Sequence, residues 1–189
     1  PAGNAASPAA APAAEQVQMD LFGNIIEAPA PKPVATQVAE DAPMYTELKN
    51  ASNTPHNYIV LQSDEEIAAF VAAAKNEKEI CFDTETTNID ANEAELVGMS
   101  FSYKKSEAYY VPCPTKREET IKLLEKFSVL FDDASITWIG QNIKYDLLVL
   151  KWYGFTLSGT LFDTMLAHYV VEPEGKRSMD MLSAKYLGY

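Results

Sequence analysis

The sequence is short of cysteine, histidine, positive charge and long apolar runs, and each shortage closes off a class of protein. Its 2 cysteines, Cys81 and Cys113, and 2 histidines, His56 and His168, stand far apart with no Cys-x-x-Cys spacing. Neither a zinc site nor a disulfide framework is expected, and both thiols read as buried groups of a reducing cytoplasm. No stretch approaches the roughly 18 apolar residues of a membrane span. The first residues lack the basic-then-apolar layout of a signal peptide, so the chain reads as soluble and cytoplasmic. Lys and Arg number 15 against 27 Asp and Glu, a formal charge of −12. That sign is opposite to the basic surface that displaces counterions from phosphate, so charge alone disfavours nucleic-acid binding.

What is present divides in two. Residues 1–56 hold 8 of the 11 prolines and 14 alanines, in stretches such as PAAAPAAE and APAPKPVA that have no helical or strand period. Such a segment buries too little apolar surface to offset the entropy of ordering it, so a largely disordered Ala/Pro-rich linker is expected. Its charge is 2 − 6 = −4, and residues 57–189 carry 13 − 21 = −8, so the remainder is itself acidic.

From Asn57 onward the pattern is that of an α/β domain. YIVL reads as a strand, and SDEEIAAFVAAAKN as a helix with Ser63 as N-cap and Glu66 closing a capping box. Strands are expected at EICFDTE, LVGMSFSY, AYYVPC and ITWIG, with a helix from about Glu118 to Phe131 before the last. The final 47 residues read as helical, in pieces broken at Gly154 and around Pro173–Gly175. This order predicts a mixed β-sheet with flanking helices.

Asp83 and Glu85 lie two apart at the end of an apolar strand, so their carboxylates share one face of the sheet. Two carboxylates held that close repel unless a cation sits between them, and a divalent metal is the simplest resolution. Asp146 follows 63 residues after Asp83, within WIGQNIKYDLLVLKWYG. There Gly140 ends a strand, Asn142 suits an N-cap, and Ile143, Leu147 and Leu150 form one apolar helical stripe with Asp146 on another face.

Together, DTETT at a strand exit and GQNIKYD at a strand-to-helix turn resemble the first two motifs of the DEDD-type 3′–5′ exonucleases. The likeness extends through WYGFTLSGTLFDTMLAHY and GKRSMDMLSAKYL, and is narrower for the proofreading exonuclease domain of bacterial family A DNA polymerases. That family has a ribonuclease H-like fold. The resemblance implies that Asp83 bridges two divalent ions, Mg²⁺ or Mn²⁺, with Glu85 supporting one and Asp146 the other. It also implies two-metal hydrolysis of the 3′-terminal phosphodiester of single-stranded DNA, releasing a 5′-nucleoside monophosphate. On the substrate side it assigns Thr84 and Thr86 to the scissile end and Ile89 to a wedge against the terminal bases, beside a core-packing reading of Ile89. Gln141, Asn142 and Tyr145 fall to sugar and phosphate contacts, and Arg177 to a phosphate. Asp163 reads as a helix N-cap rather than a ligand, and His168 as a packing residue. Two divalent ions and Arg177 would supply the local attraction that an acidic domain otherwise lacks.

The family's third motif, Tyr-x-x-x-Asp or His-x-x-x-x-Asp, occurs nowhere in these 189 residues. The exonuclease domain, residues 57–189, is therefore expected to be incomplete at its C-terminus, separated from the polymerase domain of its parent chain, and slow in hydrolysis. Within the linker, Gln18, Met19, Asp20, Leu21 and Phe22 resemble the peptide by which bacterial polymerases bind the sliding clamp, with Leu and Phe as pocket anchors on a flexible tether. A nucleoid-associated location would follow. Two other readings remain open on the sequence: a ribonuclease D-like RNA exonuclease, and a catalytically dead structural or interaction domain of a polymerase.

Overall fold

A computed structural model describes residues 49–189. The clamp-like residues Gln18 to Phe22, and most of the expected linker, lie outside the described residues. Within them a six-stranded sheet runs in the order β1-β4-β3-β2-β5-β6. Its strands are β1 (Asn57–Val60), β2 (Glu79–Thr86), β3 (Leu96–Lys104), β4 (Glu107–Pro112), β5 (Thr137–Gly140) and β6 (Thr160–Asp163). β2, β3 and β4 form an antiparallel meander, while β1 joins β4, β5 joins β2 and β6 joins β5 in parallel. This is the mixed sheet that the sequence predicts, and β5 and β6, each entered from a helix, add in parallel, as crossover connections require.

Period-two alternation gives the sheet a dry face and a face that carries the acids. Phe82 and Phe101 pair across β2 and β3, as do Thr84 and Met99, and all four side chains are buried with Val111 and Trp138. Helix α1 (Asp64–Ala74) covers this face with Phe70, whose ring lies 5.2 Å from that of Phe101. Its capping box is present as the sequence indicates: the Glu66 N–H donates to the Ser63 hydroxyl, and the Glu66 carboxylate accepts from the Ser63 N–H.

The expected helix from Glu118 to Phe131 is two pieces, α2 (Arg117–Glu125) and α3 (Ser128–Phe131). The break falls where Phe127 turns fully inward and stacks on Phe101 at 5.3 Å between centroids, so burying that ring outweighs helical continuity. Helix α4 (Lys144–Trp152) follows β5. The remainder is not wholly helical: β6 precedes α5 (Thr164–Val171), α6 (Met179–Leu182) and a π-helical segment (Ser183–Leu187). Gly159, at φ +93°, turns the chain so that Thr160 pairs with Thr137 and adds the edge strand.

The second face of the sheet is only partly covered. Between it and α5, α6 and the π-helical segment lies an open, apolar groove of about 600 Å³. Cys81 sits there exposed, not buried as expected, because odd-numbered positions of β2 point away from the core. Cys113 is half-buried, and burial pushes its thiol up to about 12. Ahead of β1, the Lys49 N–H donates to the Gly188 carbonyl at 2.6 Å. No helix among the described residues is long and apolar enough to cross a membrane.

Candidate active site

The acids meet because of how β5 is placed. β5 lies parallel to β2, with Cys81 opposite Ile139, so the chain leaving Gly140 passes the end of β2 where Asp83, Thr84 and Glu85 emerge. The turn that follows is tight. A Cβ at Gly140 would sit 3.0 Å from the Ile143 side chain and 3.1 Å from the Phe82 carbonyl. Asn142 takes φ +58°, a left-handed conformation that asparagine tolerates better than most residues. It is not the helix cap expected from the sequence: Ile143 holds that place without a side-chain cap. Asn142 is instead fixed through its backbone N–H, which donates to Asp163 Oδ1 at 3.1 Å. The same oxygen accepts from the N–H groups of Met165 and Leu166, so Asp163 caps α5 as predicted and also anchors the turn ahead of α4.

Helix α4 then points Asp146 inward. Its side chain is 2% exposed, and Oδ1 accepts from the Thr84 N–H at 2.9 Å and the Thr84 hydroxyl at 2.6 Å. Burial pushes the Asp146 carboxyl up to about 6, with the Asp83 charge adding to it and the Thr84 bonds opposing it. Asp83, half-buried, is held above its ordinary range by burial first and by neighbouring Glu85 second. Glu85 is exposed at the mouth.

None of the three carboxylates takes part in an ion pair with a Lys, Arg or His among the described residues. Crowded, partly desolvated and without a counter-charge, this all-oxygen donor set suits a hard divalent cation. Among the described residues no three acidic, His or Cys side chains are drawn close enough to form a closed metal cluster. Asp146 is turned onto Thr84 and Glu85 reaches outward, so the donor chemistry fits while the ligand shell is not assembled.

Thr84, Glu85, Thr86, Ile89, Asn142 and Tyr145 line one open polar cleft of about 680 Å³. The Tyr145 hydroxyl pairs with Thr86 Oγ1 at 2.6 Å and donates to the Asn88 carbonyl, which ties α4 to the loop after β2. At the tip of that loop Ile89 is 95% exposed, which overturns the core-packing reading of this residue. Gln141 lies at the edge of the apolar groove with Asp83; its Nε2 donates to the Arg177 carbonyl at 2.6 Å, and its Oε1 accepts from Thr164 at 2.5 Å.

Arg177, like Gln141, does not line the cleft. Its guanidinium lies over the Tyr169 ring, 4.6 Å from the centroid, and donates to the Pro173 carbonyl, while its Nε is buried without a partner. His168 is buried as expected. Its Nε2 stands 3.3 Å from a Glu172 oxygen, but the geometry is not that of a hydrogen bond, and both ring nitrogens lack a partner among the described residues.

Tyr110 was not singled out in the sequence, yet it stands on the face of the acids. β4 pairs with β3 and β3 with β2, so Tyr110, Ser100 and Asp83 fall in one row across three strands. The signal was available in the alternation of AYYVPC, which puts one of its two tyrosines on each face; the register that makes it Tyr110 was not.

A family model described as 3′–5′ exonuclease, for family A DNA polymerases, matches residues 58–189. The DNA polymerase I of Borreliella burgdorferi is 38% identical over 125 residues, covering 65% of this chain and 14% of the relative. That of Pseudomonas aeruginosa is 40% identical over 119 residues, covering 58% and 13%. The chain thus spans about one-seventh of the length of these relatives. Among solved structures, Brucella melitensis NrnC with bound Mg²⁺ has a TM-score of 0.56 at 17% identity, over 72% of this chain and 63% of that one. Escherichia coli RNase D, an exoribonuclease involved in structured RNA processing, has 0.55 at 22% identity, over 70% and 34%. These two likenesses establish the ribonuclease H-like fold. With the match running from β1 to the last residue and taking in both acidic motifs, the chain belongs to the 3′–5′ exonuclease family of family A DNA polymerases.

Proposed function

We propose that residues 57–189 act as a proofreading exonuclease that trims the single-stranded 3′ end of DNA, releasing 5′-nucleoside monophosphates. The observation that carries this reading is the meeting of Asp83, Glu85 and Asp146 at the ends of β2 and α4, crowded and without a cationic partner among the described residues. Asp83, between the other two, would contact both of two divalent ions, with Glu85 and Asp146 each completing one side. Mg²⁺ or Mn²⁺ in that place would lower the pKa of the attacking water and neutralise the departing 3′ oxygen.

The chain's own residues do the positioning. Thr84 holds Asp146 by two hydrogen bonds, which keeps its carboxylate beside Asp83. The Tyr145 hydroxyl fixes the loop that presents Ile89, an exposed apolar edge against which the last bases can rest. Asn142 and Tyr145 line the cleft, and Gln141, at the edge of the neighbouring groove, bonds to the Arg177 carbonyl. For Arg177 to reach a phosphate it must leave Tyr169.

The partners in this reading are a DNA 3′ end, a polymerase domain of the same parent chain, and a sliding clamp engaged by residues 18–22 of a linker spanning residues 1–56. A cytoplasmic, nucleoid-associated location accords with such partners. With three carboxylates and no Tyr-x-x-x-Asp in its sequence, the chain is expected to cleave slowly.

The test is cleavage of matched 3′-end DNA and RNA oligonucleotides in Mn²⁺. Slow, metal-dependent release of single nucleotides from DNA, lost in Asp83→Ala, is the expected result. A preference for RNA would move the assignment to an exoribonuclease. Unchanged rates in Asp83→Ala would remove these acids from the chemistry.

A further inference from the structure

Tyr110 stands on the acid-bearing face of the sheet in a place made for it by Gly98. A Cβ built on Gly98 would lie 2.1 Å from the Tyr110 hydroxyl oxygen and 2.4 Å from its ring carbon Cζ, so the phenol occupies the space of the side chain that Gly98 lacks. Gly98 is also the residue directly opposite Glu85 in the β2–β3 ladder. Directly opposed Cβ positions stand about 4.5–5.5 Å apart. The Tyr110 hydroxyl therefore occupies the cross-strand position facing Glu85, within reach of a carboxylate carried two carbons out from its own Cβ. No hydrogen bond holds that hydroxyl among the described residues. Glu85 is the exposed acid of the three; neither its side chain nor that of Asp83 has a hydrogen bond among the described residues, whereas Asp146 has Thr84.

We propose that Tyr110 is a positioning residue: its hydroxyl donates to the Glu85 carboxylate and holds that side chain over the sheet, beside Asp83, in the orientation that accepts a divalent ion. Gly98 is required because any side chain there would displace the phenol. The proposal rests on the reading of Asp83, Glu85 and Asp146 as metal-binding groups. A hydroxyl donating to an ionised carboxylate is a strong, directional bond, and partners that orient ligands in this way set metal affinity as well as geometry.

The experiment is titration of the intact chain with Mn²⁺, following free Mn²⁺ by electron paramagnetic resonance. The variants are Tyr110→Phe, Gly98→Ala, Glu85→Gln and Tyr110→Phe/Glu85→Gln, each checked for folding by circular dichroism. Tyr110→Phe keeps the ring and is expected to weaken Mn²⁺ binding about tenfold. Gly98→Ala, which keeps the hydroxyl but moves it, is expected to give a loss of similar size. In the Glu85→Gln background, Tyr110→Phe should add nothing. Unaltered Mn²⁺ affinity in Tyr110→Phe overturns the proposal, as does an equal further loss in the Glu85→Gln background, which would mean that the hydroxyl acts elsewhere. Should Asp83→Ala leave Mn²⁺ binding intact, the metal-site reading falls, and this proposal with it.

Discussion

At the scale of single residues, the most consequential is Asp146, a carboxyl 2% exposed whose proton is held up to about pH 6. An unfolded Asp releases its proton near pH 3.9. Between those values the folded chain binds more protons than the unfolded one, so the stabilisation is complete below about pH 4 and is lost as pH rises to about 6. At pH 7 the buried charge costs roughly 3 kcal/mol. Asp146→Asn keeps the oxygen that accepts from Thr84 and discards the charge. In EDTA it should match the parent at pH 4 and exceed it by about 2–3 kcal/mol at pH 8, and with Mn²⁺ present it should lose nuclease activity; urea unfolding at each pH checks the stability, and parallel pH profiles would refute it. Ile89→Ala should behave oppositely: within about 0.5 kcal/mol of the parent in stability, since the side chain touches little, but weaker in binding a DNA 3′ end by fluorescence anisotropy. Asp83 and Glu85 were legible because a two-residue spacing on a strand fixes their shared face. The bond between Thr84 and Asp146 was not, because it spans 62 residues and needs the β2–β5 pairing to exist. Nor was the inward turn of Arg177, whose place is decided by a ring and a carbonyl in its own loop.

At the scale of elements, capping chemistry and long apolar periods read through directly. Ser63 with Glu66, and Asp163, start α1 and α5 as their residue types require. The short strands β1 and β5 also read through, but β6 did not. β6 has only four residues, and three of them are exposed, so TLFD carries no alternation to find. Its existence depends on Gly159, where φ is +93° and a Cβ would fall 2.2 Å from the Ile136 carbonyl oxygen. Gly159→Ala should therefore destabilise the fold by about 2–4 kcal/mol in urea unfolding and release the amides of β6 to exchange. Gly154→Ala is the control, with φ +88° but nothing within 4 Å, and should cost about 1 kcal/mol. Equal losses in the two would mean that crowding at Ile136 does not set the strand. The split of the expected Glu118–Phe131 helix has a similar cause, since the demand of the core for Phe127 is not written in local sequence.

At the scale of the whole molecule, a charge of −8 over residues 57–189 sets, on the proposed function, how DNA would be approached. Without divalent ions, single-stranded oligonucleotide binding should be undetectable. With Ca²⁺, which fills oxygen sites, it should appear with a shallow salt slope of about −1, as for one or two phosphates neutralised. Binding in EDTA with a slope of −3 or steeper would show a basic track that the charge balance does not suggest. The parallel pairing of β5 with β2 has a further consequence, in time rather than space. Cys81 and Ile139 are 139 − 81 = 58 residues apart, and the acids come together only when that loop closes. Loop closure must precede the contacts that reward it, which makes such pairings slow. If these acids form the active site as proposed, a growing chain carries Asp83 and Glu85 out of the ribosome before Asp146 can join them, so the site can only form once the β2–β5 loop has closed.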